Sequence, residues 1–193
     1  WIIENDWLEA IVALPEQIFF NTGISTYFWI VTNKKEEKRK GKVQLINGAD
    51  FWTAMTKSLG NKRRYISDKQ ADELTKLYED FIENKYSQIK LNHFFGYTKV
   101  QVEQAKIEND EPVKDKKENL VVDPSKRDHE KIPLEDDVDK YFEREVKPHL
   151  PDSWMDRSKD KVGYEINFSK YFYQFKPLRS LEDITQDLLK LDE

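Results

Sequence analysis

Two adjacent phenylalanines stand directly before a turn in the stretch LPEQIFFNTGISTYFWIVTNKK, residues 14–35. Phe19 and Phe20 are followed by Asn21, Thr22 and Gly23, and then by Tyr27, Phe28, Trp29, Ile30 and Val31. Gly tolerates positive φ and Asn hydrogen-bonds its own backbone, so such a turn can aim the ring that precedes it. A ring held this way can stack on a planar ligand, an interaction worth about 1 to 3 kcal/mol for a nucleobase. The plainer alternative is that both rings pack beneath the next helix, and periodicity leaves the two readings open. Alternation along an extended chain lets only one of the pair face a pocket.

A second group with chemical potential is KSLGNKRR, where Lys57, Lys62, Arg63 and Arg64 can meet phosphates, contacts that position a nucleic acid without reading its sequence. The same residues fit the solvated start of a helix. The net charge is -5, but residues 34–64 hold ten Lys/Arg against three Asp/Glu, a local +7. Residues 103–145 hold fifteen acids against nine bases, a local -6. With no cysteine, neither a disulfide nor a thiolate metal site can form. His93, His129 and His149 stand far apart without a two-turn helical pairing, so no metal is expected. No Ser/His/Asp or phosphate-loop arrangement stands out.

Composition places these groups in a globular protein: 193 residues, 38% hydrophobic and 13% aromatic, with the apolar residues in blocks. No run approaches the ~20 apolar residues that span a bilayer, and no basic-then-apolar leader begins the chain. A soluble protein of the reducing cytoplasm is expected. Trp1 at the start and Leu188, Leu189 and Leu191 at the end suggest that both termini are cut.

LEAIVAL, residues 8–14, closed by Pro15, reads as a strand buried on both faces. Residues 25–32 form the strongest strand signal, and KVQLI, residues 42–46, is another strand. The charged KKEEKRKG connection between these two is short for a parallel crossover, so an antiparallel edge hairpin is expected. Ser67 and Gln70 match a capping box opening a helix with Ala71, Leu74, Leu77, Tyr78, Phe81 and Ile82 at helical spacing. A turn at Gly96 leads to one more strand. Residues 104–131 read as a charged linker, PLEDDVDKYFEREV as a short helix, and Ser180 with Asp183 as the cap of a last helix.

Several stretches in order carry a resemblance: LEAIVALPEQIFFNTGISTYFWIVTNKK, RKGKVQLINGADFW, KSLGNKRRYIS, PLEDDVDKYFEREVKPHLPDSWMD and KVGYEINFSKYFYQFKPLRSLEDI. Together they resemble the C-terminal half of the modification (M) subunit of type I restriction-modification systems, over most of the chain apart from residues near 104–127. Such subunits are N6-adenine DNA methyltransferases that use S-adenosylmethionine and flip the target base. The IFFNTGI segment resembles that family's motif VIII, which implies an aromatic packed on the flipped adenine, Phe19 before Phe20, with Asn21, Thr22 and Gly23 supporting the loop.

The resemblance also sets the expected architecture: an α/β fold, the C-terminal part of a Rossmann-like methyltransferase sheet, with a buried strand, an edge antiparallel hairpin and a mostly helical C-terminal extension. The expected division is residues 1–103 for the catalytic-domain half, 104–131 for the linker and 132–193 for subunit assembly. The family's Asn-Pro-Pro-aromatic and glycine-containing cofactor motifs are missing; Asp123-Pro124 is followed by Ser125 and there is no GxG. No catalytic or cofactor-binding residue is therefore expected here, and S-adenosylmethionine would belong to the intact protein. The resemblance implies DNA and a specificity (S) subunit as partners, with a restriction (R) subunit as a further one. A half sheet with bare edges is expected to self-associate. The competing reading is a catalytically silent module that binds DNA or a partner.

Overall fold

The computed structural model describes residues 1–109, 111–175 and 180–191, so part of the expected assembly region, residues 176–179, 192 and 193, lies outside the described residues. Strand β1 (Leu8–Leu14) is buried along nearly its whole length. It pairs antiparallel with β2 (Thr26–Val31) and parallel with β3 (Lys42–Asn47). β3 in turn pairs antiparallel with β6 (Ser87–Leu91), giving a mixed sheet of order β2-β1-β3-β6. Ile11, Ala13, Val43 and Leu45 pack on one face with Phe95 and Phe168.

The expected hairpin between residues 25–32 and 42–46 is thus displaced by one strand: β2 forms its hairpin with β1, and β1 separates β2 from β3. The KKEEKRKG connection crosses the start of β1 instead of turning back. Asp6, just before β1, fixes that crossing. Its carboxylate accepts from the Lys35 ammonium at 2.5 Å, from Asn92 Nδ2 at 2.8 Å and from the Gly41 N–H at 2.9 Å. Burial alone would raise the Asp6 pKa, but these donors and the Lys35 charge hold it below the ordinary carboxylate value.

The other face carries α1 (Asp68–Asp80), opened by the capping box that Ser67 and Gln70 complete. Its last turn is docked by a buried polar cluster. A β-bulge between Leu8 and Ala10 accommodates Glu9, which lies 3.6 Å from buried Arg39 and accepts a hydrogen bond from the Tyr78 hydroxyl. Arg39 donates to Gln44 Oε1 at 3.0 Å and to the Tyr78 carbonyl, while Gln44 Nε2 donates to the Leu77 carbonyl at 2.8 Å. The guanidinium also lies over the Tyr78 and Phe81 rings, 4.1 and 4.4 Å from their centroids. Two carbonyls that a helix end leaves unpaired are satisfied, and a cation sits at the negative end of the dipole. Burial, helped by the neighbouring Glu9, pushes the Tyr78 phenol up to about 12.

A second sheet of order β10-β7-β11 is built from β7 (Gly96–Gln104), β10 (Asp128–Pro133) and β11 (Ser153–Tyr164), all antiparallel. Its core is Val100, Val102 and Ile132 against Phe142 and Val146 of the π turn Phe142–Val146, which continues α2 (Val138–Tyr141), whose Val138 and Tyr141 pack at the margin. Two expectations change here. The presumed linker contains the small ladder of β8 (Ile107–Glu108) with β9 (Glu111–Pro112), and it returns as β10 to pair with β7. The C-terminal region is not mostly helical, since β11 runs for 12 residues and only α2 with its π turn, α3 (Phe168–Tyr171) and α4 (Leu181–Leu191) are helical. β11 is hard to see in sequence because a register shift between Asp156 and Lys161 interrupts its alternation. No helix among the described residues is long and apolar enough to cross a membrane.

Replacing Arg39 by Met should destabilise the chain by about 3 to 5 kcal/mol in urea unfolding, because Glu9 is left buried without its partner. The depressed Asp6 pKa contributes stability that is complete above the unfolded value of ~3.9 and lost as pH falls through the lower folded value. Unfolding measured between pH 5 and pH 2 should show this loss in the native chain, and a smaller one in Asp6→Asn.

Candidate nucleic-acid interface

Leu14 and the fully buried Pro15 end β1 at the same edge as the end of β3, the carboxyl side of the two parallel strands. The loop between β1 and β2 leaves from this edge. Phe19 and Phe20 are not sealed inside; they are 45% and 57% exposed. A bridge between Phe19 and Thr22 tightens the loop, and Thr22 Oγ1 accepts from the Ile24 N–H at 3.4 Å. The turn works differently from the expectation drawn from Asn21 and Gly23. Positive φ occurs at Gln17, at 63°, not at Gly23, around which a Cβ would meet only open space.

The loop is gripped from outside by a hairpin that sequence reading missed. Strands β4 (Thr53–Leu59) and β5 (Lys62–Tyr65) are joined by Gly60 and Asn61, with Gly60 at φ +62°. The signal was present: Gly-Asn between two short runs is a two-residue hairpin turn. The Gln17 carbonyl accepts from the Arg63 N–H at 2.9 Å and the Arg64 N–H at 3.2 Å, and the Phe20 carbonyl from the Asn61 N–H at 3.2 Å. Thr53 donates to Gln70 at 3.1 Å, tying the hairpin to the first turn of α1.

Two candidate groups far apart in sequence therefore share one surface. The Lys62 ammonium lies 5.0 Å from the centre of the Phe20 ring, and the Arg64 guanidinium lies 3.9 Å over Trp52, a residue the sequence did not single out. Arg63 and Lys57 are exposed on the same hairpin. None of Lys57, Lys62, Arg63 and Arg64 has a carboxylate within 4 Å among the described residues. The first part of the basic stretch behaves otherwise: Lys35 and Arg39 are interior, while Lys38 and Lys40 lie beside Glu36 and Glu37.

A cleft of about 210 Å³ opens at the same sheet edge between Leu14, Ser25 and Tyr27 on one side and Phe168 and Phe172 on the other. Neither Phe19 nor Phe20 lines it. No cluster of His, Asp or Glu among the described residues has metal-binding geometry. At this edge the chain packs closely on Gly48, where a Cβ would stand 2.5 Å from the Ala13 carbonyl oxygen and 3.1 Å from Leu74.

A model of the N-6 DNA Methylase family matches residues 1–131. Three methylase subunits of type I restriction enzymes from Methanocaldococcus jannaschii are similar to the chain. The MjaVIII subunit is 30% identical over 79 residues, 41% of this chain and 13% of that protein. The MjaIX subunit is 27% identical over 99 residues, 51% and 17% of the two chains, and the MjaVII subunit 42% identical over 48 residues, 25% and 8%. The matched stretches thus cover less than a fifth of these relatives. Among solved structures, the type I restriction-modification methyltransferase subunit from Streptococcus thermophilus aligns with a TM-score of 0.41 and 17% identity over 49% of this chain and 19% of that one.

Gly60→Ala should cost about 1 to 2 kcal/mol in chemical denaturation, because the position needs positive φ. It should also raise hydrogen exchange at the Asn61, Arg63 and Arg64 amides that hold the loop.

Proposed function

We propose, from the premise that this chain belongs to the N-6 DNA Methylase family, that it supplies the target-base wall and a phosphate-contact hairpin of an adenine-N6 DNA methyltransferase. The observation that carries this reading is the grip of the β4–β5 hairpin on the Phe19–Phe20 loop, which sets unpaired cations beside exposed rings at the carboxyl edge of the parallel strands. Ligands of α/β sheets bind at that edge. Phe19 is the stacking ring and Phe20 its support, because Lys62 already lies over Phe20. Lys62, Arg63, Arg64 and Lys57 hold the DNA backbone while the extruded adenine rests on Phe19.

In the whole protein, S-adenosylmethionine supplies the methyl group. That cofactor's glycine-containing motif is not in this sequence, and the part of these residues is to bind and orient the base and the phosphates. Calorimetry of this chain with S-adenosylmethionine should show no micromolar binding.

The assembly surface lies at the C-terminal end. Tyr173 and Phe175 are 73% and 75% exposed, and α4 presents Leu181 at 81% and Leu189 at 63%. Apolar exposure of this kind fits a specificity subunit as partner, with a restriction subunit joining the same complex. In the isolated chain, the unpaired outer edge of β2 leads to self-association, which sedimentation at rising concentration reads directly.

The stacking role is tested with a single-stranded oligonucleotide carrying 2-aminopurine. The native chain and Phe20→Ala should quench its fluorescence, and Phe19→Ala should weaken binding by about 1 to 3 kcal/mol and abolish the quench. An unchanged quench in Phe19→Ala, with the fold intact by circular dichroism, removes Phe19 from the site.

A further inference from the structure

The second sheet has one covered face and one open face. Val100, Val102, Ile132 and Met155 turn toward α2 and its π turn. On the opposite face the register sets Lys99 of β7 directly against Lys131 of β10 and Lys161 of β11. Three ammonium groups therefore stand in one row across three strands. Directly opposed side chains have Cβ atoms about 4.5 to 5.5 Å apart, and like charges there oppose pairing.

Neighbouring carboxylates cancel part of the row, at Lys131, and leave Lys99 and Lys161. Lys131 has Glu165 at 2.5 Å and also lies 4.9 Å from the Tyr97 ring centre. Neither Lys99 nor Lys161 has a carboxylate within 4 Å among the described residues. The next pairs along the face are His129 with Gln101 and Asp156 with Gln101. Asp156 accepts from the Ser158 hydroxyl, which keeps its carboxylate ionised beyond Gln101, and Glu103, further on, is buried against Arg127. On the other side the Tyr97 ring packs against Gly163, where a Cβ would come within 2.7 Å of it. In a chain of net charge -5, this leaves Lys99 and Lys161 as two opposed cations without a carboxylate within 4 Å among the described residues, beside the Tyr97 ring.

We propose that this open face is a second phosphate-binding surface, on which Lys99 and Lys161 contact the backbone of a nucleic acid, with Lys131 held beside them by Glu165. Strands spaced about 4.8 Å apart make the row about 10 Å wide. A nucleic-acid strand carries one charge per ~3.4 Å of axis, so neighbouring phosphates come within reach of Lys99 and Lys161 together. Lysines act here as point charges, suited to a linear polyanion and not to forked recognition of single carboxylates. The polyanion removes the mutual repulsion that the row carries when bare. This inference rests on the register of the second sheet and stands apart from the stacking role of Phe19.

The test is fluorescence anisotropy of the full chain with a labelled 30-base-pair duplex between 50 and 200 mM NaCl. Removing two phosphate contacts lowers the slope of log K against log salt by about 1.8, so Lys99→Gln/Lys161→Gln should show that loss and Lys99→Arg/Lys161→Arg should restore it. Without DNA, the glutamine variant should melt at the same or a higher temperature, because the opposed charges are gone. The single variant Lys161→Gln, at an exposed position, should lose about half as much slope. A companion Lys62→Gln/Arg63→Gln variant reads the β4–β5 hairpin, and its loss should add to that of the row. An unchanged slope in the folded row variants overturns the proposal whatever the hairpin does. So does poly-glutamate binding as tightly as the duplex with the same dependence on Lys99 and Lys161, which would assign the face to an acidic protein.

Discussion

Glu9 lies inside the molecule because a bulge in the central strand leaves room for it, and the rest of the first layer is arranged around that buried charge. A carboxylate in such a place is tolerated only with a close cation and full hydrogen bonding. Arg39 provides the charge, Tyr78 a hydroxyl, and Gln44 orients the guanidinium while also reaching the helix end. The same contacts fix where α1 stops and how it lies on the sheet. Through Gln70 and Thr53 the opposite end of that helix holds the hairpin, and the hairpin holds the aromatic loop. A single interior ion pair thus reaches the carboxyl edge through a chain of packed elements.

The basic residues between 34 and 64 divide accordingly. Lys35 and Arg39 are structural cations that satisfy Asp6 and Glu9, and they are unavailable to any ligand. Lys62 and Arg64 lie over aromatic rings, which limits their rotamers and leaves their positive charge open to solvent. Charge counted along a segment overstates the surface field when part of it is buried. Geometry separates the two sets.

Much of the first layer was legible in the sequence. The continuous apolar run of residues 8–14 marked a strand covered on both faces, and Ser67 with Gln70 marked the helix start. The order of strands was not legible, because it depends on Asp6 receiving Lys35 and Gly41 across the start of β1, a contact between residues some thirty positions apart. The rings of the candidate site were visible in the sequence, as was the Gly60-Asn61 turn signal, whereas Trp52, which lies under Arg64, required the folded hairpin to be seen. The second sheet was missed most. Its strands are separated by charged connections, and β11 carries Asp156 and Lys161 on either side of an irregularity that erases the two-residue period.

β2 is one of the two outer strands of the first sheet, with Tyr27 and Trp29 on one side and Phe28 on the other still open to water. Its free backbone groups form a template with a set direction, and a strand joining there would run antiparallel or parallel to β2 without disturbing β1. The aromatic loop connects β1 to β2. Lengthening the sheet at this margin would therefore move the loop from the border to the middle of the rim, flanked by chain on both sides, and convert an open ledge into a lined recess.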